Sequence, residues 1–511
     1  MKKIIISSIF ILLAFATSLA QQPRKVTRTW FPNPDVKIET PAFKRNFGYT
    51  TYKEMMKFLR DEASANPQLI TIENVGKTQK NRDIPLVVVR GSGADDGKLR
   101  VLYTGCVHGN EHAGTEGLLW FIHQLASDNN VRQLLDGIDF YIMPMVNIDG
   151  SEADSRYTNN GTDPNRDQTR LSTPEVQCMH LVASRVKPHV FIDFHEYKPL
   201  RSSYSSFSKR IISNPNDYMY LYSSNPNVYP GLTNVVENHF IPEAEKMARQ
   251  WGLVTSLYYT TKSSGGKTVM NIGGQAARSS SNIMALRGCV SMLMEIRGVG
   301  LGRTSYLRRV NTAYQLACTY AQAAKNNAGE ILRATNAALH QQRDIVTGYE
   351  VPVEKDHSFE FIDLLGNKKM SIAIDAHLAK NLVVKKKVAR PEAYYISASE
   401  TLAIDLIKKF GIEYETLTES ATLPLESYTV TQTRRQWTEV LGIYPVNVQV
   451  RTERHQVTLP AGSIRVSMSQ PLATLAGILL EPECANGFVN FCVIEAKTGT
   501  TLQIYRSVGN K

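Results

Sequence analysis

Six short, continuous apolar runs constrain this fold more than any other feature of the sequence. They are "IPLVVVR" from Ile84, "LRVLYTGCV" from Leu99, "IDFYIMPMV" from Ile138, "HVFIDFH" from His189, "LVTSLYY" from Leu253 and "CVSMLMEI" from Cys289. A strand with one wet face alternates apolar and polar residues, whereas a strand covered on both faces reads as an unbroken apolar run. Between the runs lie segments with helical spacing: "TTYKEMMKFLRDEASANP", with Met55, Phe58 and Leu59 on one face, "EGLLWFIHQLAS" and "PEVQCMHLVASRV". The pattern predicts an α/β layer structure, a sheet with helices on both faces. A further helical stretch extends from about Ser305 to Leu339, with a weak point at "NNAG".

The pattern changes after Gln341. Short alternating segments such as "SYTVTQT", "VNVQVRT" and "SIRVSMS" take over, with one helix, "SETLAIDLIKKFG", among them. At 511 residues the chain exceeds one ordinary domain. The expected organisation is a signal peptide over 1–20, an extended Pro-rich lead-in over 21–42, the α/β domain over 43–340 and a β-rich region over 341–511. In "MKKIIISSIFILLAFATSLAQQ" two lysines precede an apolar run too short to span a bilayer, and Ser18-Leu19-Ala20 suits cleavage after Ala20. A secreted or periplasmic protein with no membrane span after cleavage is expected. Six cysteines contain no C-x-x-C pair, which argues against a cysteine-based zinc site. Cys106 and Cys289 read as buried thiols, and Cys484 and Cys492 could be bridged across a hairpin. The formal charge of +11 favours acidic partners, but no nucleic-acid-binding module is present, and the charge reads as a basic solvated surface.

Chemistry concentrates at the ends of the apolar runs. "VHGNEH" follows the second run directly, placing His108, Glu111 and His112 together. H-x-x-E-H also occurs in inverted zincin peptidases, where a regular helix puts both histidines on one face. Here Gly109 and Asn110 follow a strand and favour a turn, which can aim His108 and Glu111 at one point and leave His112 free. "VFIDFHEYK" ends another run with His195. Two imidazoles and a carboxylate form a catalytic zinc set with an open position, and Asp193, two residues earlier on the same strand face, is a candidate to orient His195. The loop "NIDGSEADSRYTNNGTDPNRD" carries Arg156, Asn165 and Arg166, and an arginine fork suits a carboxylate or an oxyanion. "CVSMLMEIRG" places Glu295 inside an apolar run, on the side of Leu293 and Arg297, where it must be paired or used.

Together these motifs resemble the zinc carboxypeptidase family of the carboxypeptidase A type. The match comprises His108 and Glu111, Asn147 to Gly150, Arg156, Gly161 to Arg166, His195, and Glu295 to Arg297, in that order, within about Phe43 to Leu339. The tail "LPAGSIRVSMSQPLATLAGILLEPE" looks like that of large secreted bacterial members. The resemblance implies a mixed, mostly parallel eight-stranded sheet with helices on both faces. It also implies Zn2+ held by His108, Glu111 and His195, and Glu295 as the base that deprotonates a zinc-activated water. By the same resemblance Arg156 steadies the oxyanion, and Asn165 and Arg166 grip the terminal carboxylate of a peptide or protein. The family's loop tyrosine, about two dozen residues before the catalytic Glu, is missing from "SSGGKTVMNIGGQAARSSSNIMALRG". Lys267 and Arg278 stand in that loop instead, Arg278 as a candidate for an acidic or polar terminal residue, while Tyr258 and Tyr259 are expected in the core. The rivals are a related zinc amidase or endopeptidase acting on cell-wall peptides, and a catalytically dead peptide-binding protein on the same scaffold. The second predicts loss of a ligand or of the base, and neither is lost.

Overall fold

The computed structural model describes residues 22–91 and 97–507; the expected signal peptide lies outside the described residues. Eight strands form the central sheet: β1 (Ile70–Lys77), β2 (Asp83–Val89), β3 (Leu99–Gly105), β4 (Ile138–Met143), β5 (Val190–Tyr197), β6 (Tyr218–Tyr222), β7 (Thr255–Leu257) and β8 (Val290–Arg297). Their order is β1-β2-β4-β3-β5-β8-β6-β7. The interior pairs β4/β3, β3/β5 and β5/β8 are parallel, as is β6/β7, while β1/β2, β2/β4 and β8/β6 are antiparallel. The apolar runs explain this placement: every residue of β4 and β5 is buried, as strands covered on both faces require.

Helices cover both faces. α1 (Tyr52–Ala65) opens on a capping box between Thr51 and Glu54. α2 (His112–Ser127) lies so close to β5 that a Cβ on Gly114 would come within 3.0 Å of Phe194. α3 (Pro174–Val186) starts with proline in its first turn and ends on a left-handed Lys187. α4 (Ser280–Leu286) packs on the other side of β5, where Ser280 reaches Asp193. The long helical stretch forms α5 (Tyr306–Asn326) and α6 (Ala328–Leu339), interrupted at Asn327 within the expected weak point.

A second, five-stranded sheet joins Ile212–Ser213, Val353–Asp363, Lys368–Leu378, Lys267–Ile272 and Tyr259–Ser264 in that order. A third, six-stranded sheet is built wholly from residues beyond 392, and α7 (Thr401–Phe410) ends on Gly411 in the left-handed region. The β-rich character expected after Gln341 is therefore present. The lead-in differs from the extended segment expected: Arg24–Trp30 is a helix. Val26 and Phe31 are buried with Ile362 and Leu364, and Trp30 Nε1 donates to Asn367 Oδ1 at 2.9 Å. These apolar anchors, spread among polar residues, fold the segment against a distant hairpin. All six cysteines are free; Cys484 is buried and Cys492 exposed, so the bridge considered between them is not formed.

Candidate metal centre and substrate cleft

The site grows from the carboxyl ends of β3, β5 and β8, where ligands gather in open α/β sheets. Immediately after β3 the backbone leaves the extended region, with Cys106 at φ 53°, and it turns through Gly109 and Asn110 before α2 begins at His112. Gly109 is required there, because a Cβ would collide with the backbone of Gly150 and Ser151. The turn sends His108 and Glu111 to the same point. His108 Nδ1 lies 2.8 Å from Glu111 Oε1, His195 Nδ1 lies 2.8 Å from Glu111 Oε2, and the two Nδ1 atoms are 3.0 Å apart. All three side chains are buried, and their candidate ligand atoms fall within 4.8 Å of one another.

The atoms behind this group fix the direction of each ring. His195 Nε2 lies 2.8 Å from Asp193 Oδ2, and His108 Nε2 lies 3.1 Å from Asp163 Oδ1. Each carboxylate is placed to take the Nε2–H, which leaves the Nδ1 lone pair facing inward. Asp193, fully buried, also accepts from Thr104 Oγ1 at 2.7 Å and Ser280 Oγ at 2.5 Å. Burial opposes ionisation of Glu111, yet His108 and His195 outweigh it and pull the carboxyl well below its usual range. Two inward imidazole nitrogens and one ionised carboxylate fit a zinc ion with an open position. His112 is turned away: it stacks on Tyr49 with ring centroids 3.7 Å apart and meets Asp154 Oδ1 at 3.0 Å.

Glu295 stands beside the group. In the parallel β5/β8 pair it is the register partner of His195, so both side chains leave the same face of the sheet side by side. Burial first, and then the Glu111 charge, pushes its carboxyl up to about 7. It is not paired with Arg297. That guanidinium stacks over Phe31 and donates to Gln22 Oε1, Ser213 Oγ and the Asn214 carbonyl.

A cleft of about 640 Å³ brings His108, Glu295, Arg156, Asn165, Arg166 and Arg278 together. Arg156 Nε and Nη2 both donate to Asp163 Oδ2, at 3.0 and 2.9 Å, while Nη1 lies 3.2 Å from His108 Nδ1. Asn165 Oδ1 accepts from the Ser280 backbone N–H at 2.8 Å, and its own carbonyl accepts from Arg166 Nη1 at 2.8 Å. Ser280 thus ties the Asn165 loop and Asp193 together. Burial and the neighbouring Arg166 push Arg278 down to about 10, still protonated at neutral pH. Lys267 is exposed on a strand and does not line the cleft. A separate cavity of about 390 Å³, at the opposite ends of β5 and β8 around Pro188, His189 and Cys289, reaches none of these groups.

Two cleft residues escape sequence reasoning. Tyr258 was expected in the core with Tyr259; only Tyr259 is buried there, and Tyr258 lines the cleft. It sits between β7 of the central sheet and the next strand, Tyr259–Ser264, of the second sheet, so strand alternation does not say which way it faces. Burial and the Glu295 charge raise its phenol to about 12, which makes it a neutral donor. Arg201, just after β5, also lines the cleft. Its position beyond the carboxyl end of a parallel strand was the available signal.

A family model described as zinc carboxypeptidase matches residues 55–314. The chain belongs to the zinc carboxypeptidase family. The enzyme is a metallocarboxypeptidase, and curated relatives carry the same activity in their names. "Carboxypeptidase 2" of Trichophyton equinum is 27% identical over 491 residues, covering 92% of this chain and 90% of the relative. "Carboxypeptidase 2" of Trichophyton rubrum is 27% identical over 470 residues, covering 90% and 87%. Among solved structures, a metallo-carboxypeptidase from Pseudomonas aeruginosa in complex with (2-guanidinoethylmercapto)succinic acid has a TM-score of 0.42 at 19% identity, covering 56% of this chain and 71% of that one. The likeness along nearly the whole chain is to fungal enzymes, and the narrower expectation of a bacterial group finds no support in it. Among the described residues, no helix is long and apolar enough to cross a membrane.

Proposed function

We propose that this metallocarboxypeptidase removes the C-terminal residue of peptides with His108, Glu111 and His195 as zinc ligands and Glu295 as general base. The observation that carries the reading is the register pairing of Glu295 with His195, which sets a half-buried carboxylate beside the three converging donors. When bound, zinc supplies Lewis-acid polarisation of a carbonyl and acidification of water. The Glu295 carboxylate takes the proton of the attacking water and returns it to the leaving amine. Arg156 is held by Asp163 with Nη1 directed at the donor group, so it can stabilise the oxygen on which charge develops, a contribution of about 3–4 kcal/mol per donor in comparable sites. Asn165 and Arg166 receive the terminal carboxylate, and Arg278 beside them adds a second guanidinium whose charge helps to attract an acidic or polar terminal residue.

The same reading takes 43–340 as the catalytic domain and 341–511 as an appended region. It takes 1–20 as a signal that directs the enzyme out of the cytoplasm, so exported protein should begin at Gln21 by N-terminal sequencing; retention of Met1 there would refute it. Peptides as substrates are tested with matched pairs bearing a free or an amidated C-terminus, with and without chelator. Free termini should be cleaved at least about tenfold faster, as loss of a charged contact implies, and only with metal. Equal rates would point to an endopeptidase or amidase; the comparisons lend no support to cell-wall peptides.

A further inference from the structure

The charges around the cleft do not balance. Its walls carry Arg156, Arg166, Lys198, Arg201, Lys262 and Arg278 against two carboxylates, Glu196 and Glu295. Glu196 is already committed: its Oε1 accepts from Arg309 Nε and Nη2 at 2.9 and 2.5 Å, and its Oε2 from the Ala113 N–H at 3.2 Å. Arg156 is committed to Asp163. Among the described residues the other five cations form no ion pair within the protein, so one terminal carboxylate would leave most of this charge unanswered.

Arg201 is the most demanding of the five. It is half-buried, its Nη1 donates to Thr260 Oγ1 at 2.8 Å, and the Tyr258 phenol adjoins it. Its Nε is buried with no acceptor in the protein. A buried, unsatisfied N–H on a charged group is costly, and an acceptor arriving in the cleft relieves it. Tyr258 in turn stands within electrostatic reach of Glu295, Arg201, Arg166 and Arg156. Arg166, Glu295, Tyr258 and Arg201 line the same cleft, so a residue whose α-carboxylate rests on Arg166 has Tyr258 and Arg201 within the cavity that holds its side chain.

We propose that Arg201, supported by Tyr258 and Thr260, receives the side-chain carboxylate of a C-terminal Glu or Asp, making this enzyme selective for acidic termini. The inference rests on the reading of Asn165 and Arg166 as the terminal-carboxylate site. It names a second carboxylate and a residue distinct from Arg278.

The test uses the zinc-loaded enzyme and three blocked dipeptides: benzoyl-Gly-Glu, its amide isostere benzoyl-Gly-Gln, and benzoyl-Glu-Gln with the acid in the penultimate position. The ratio of kcat/KM for Glu over Gln should be at least about tenfold, as expected for one charge-assisted contact. It should collapse towards one in Arg201→Gln. Arg201→Glu should shift preference towards a terminal lysine, a gain that a misfolded variant cannot produce; zinc content and circular dichroism report the fold. A wild-type ratio near one, a preference that follows the penultimate acid, or an unchanged ratio in Arg201→Gln would each overturn the proposal. Failure of the underlying reading looks different, because amidated and free termini would then react equally whatever the side chain.

Discussion

Asp193 has the most to lose from a single-atom change. Its carboxylate takes three contacts in a fully buried site: Thr104 Oγ1 on one oxygen, Ser280 Oγ and His195 Nε2 on the other. In Asp193→Asn the volume is kept, but one oxygen becomes an NH2 group. If the NH2 faces His195, two N–H groups oppose each other. The ring must then move its proton to Nδ1, which removes the lone pair a metal needs. If it faces Thr104, the hydroxyl can rotate to accept, and His195 keeps a neutral acceptor in place of a charged one. The milder orientation exchanges a charge-assisted bond of about 1.5–3 kcal/mol for a neutral one of about 0.5–1.5 kcal/mol. Zinc affinity should accordingly fall about 10–100-fold, the usual range for such outer carboxylates, equal to roughly 1.4–2.8 kcal/mol. Competition against a chromophoric chelator measures it, with Thr104→Val as a control that deletes one donor and leaves the carboxylate on His195. A zinc Kd for Asp193→Asn within about twofold of the parent would refute the orienting role.

His195→Ala should lose most of the zinc, whereas His112→Ala should retain it, because His112 is spent on Tyr49 and Asp154; metal analysis after dialysis decides, and the reverse result would restore the inverted-zincin alternative. Glu295→Gln should keep zinc and fold but lose about 10²–10⁴-fold in kcat. A base works only when deprotonated, so kcat/KM should fall as pH drops through the Glu295 pKa. Burial and Glu111 raise that value to about 7, a nearby cation lowers it, and the acid limb should lie at or below about 7 and vanish in the Gln variant. An unchanged acid limb in Glu295→Gln would assign it to another group.

Much of this site was legible because its chemistry is local to strand ends. A turn forced by Gly109 directly after a buried run is readable from six residues, and period-two alternation already placed Asp193 on the His195 face. The same alternation reached only so far. It correctly set Glu295 and Arg297 on one side of β8, but the partners of Arg297 are Gln22, Ser213 and Asn214, which only the packed lead-in and a two-residue strand supply. The helix over Arg24–Trp30 was hidden for the same reason, since its anchors sit more than 300 residues away.

The second sheet is where sequence reasoning runs out, and it changes the character of the cleft. The family resemblance implied a mobile loop before Glu295. Lys267–Ile272 is instead a strand, antiparallel to Tyr259–Ser264 along its length and, over Met270–Ile272, bonded on its other edge in parallel to Ala376–Leu378. The Gly273 N–H then donates to the Tyr258 carbonyl at 2.8 Å, and the Tyr258 N–H donates to the Tyr220 carbonyl, also at 2.8 Å. Backbone bonded into sheets at both edges opens far less readily than a free loop. The wall that carries Tyr258, Thr260 and the support for Arg201 is therefore held by backbone bonding before substrate arrives, and the selectivity proposed for Arg201 would rest on preorganised groups. The hairpin Val353–Leu378, from beyond the matched family segment, extends this sheet on the other edge of Lys267–Ile272. The residues beyond 341 thus brace one wall of the cleft although they place no residue among the proposed zinc ligands, base or carboxylate-binding groups.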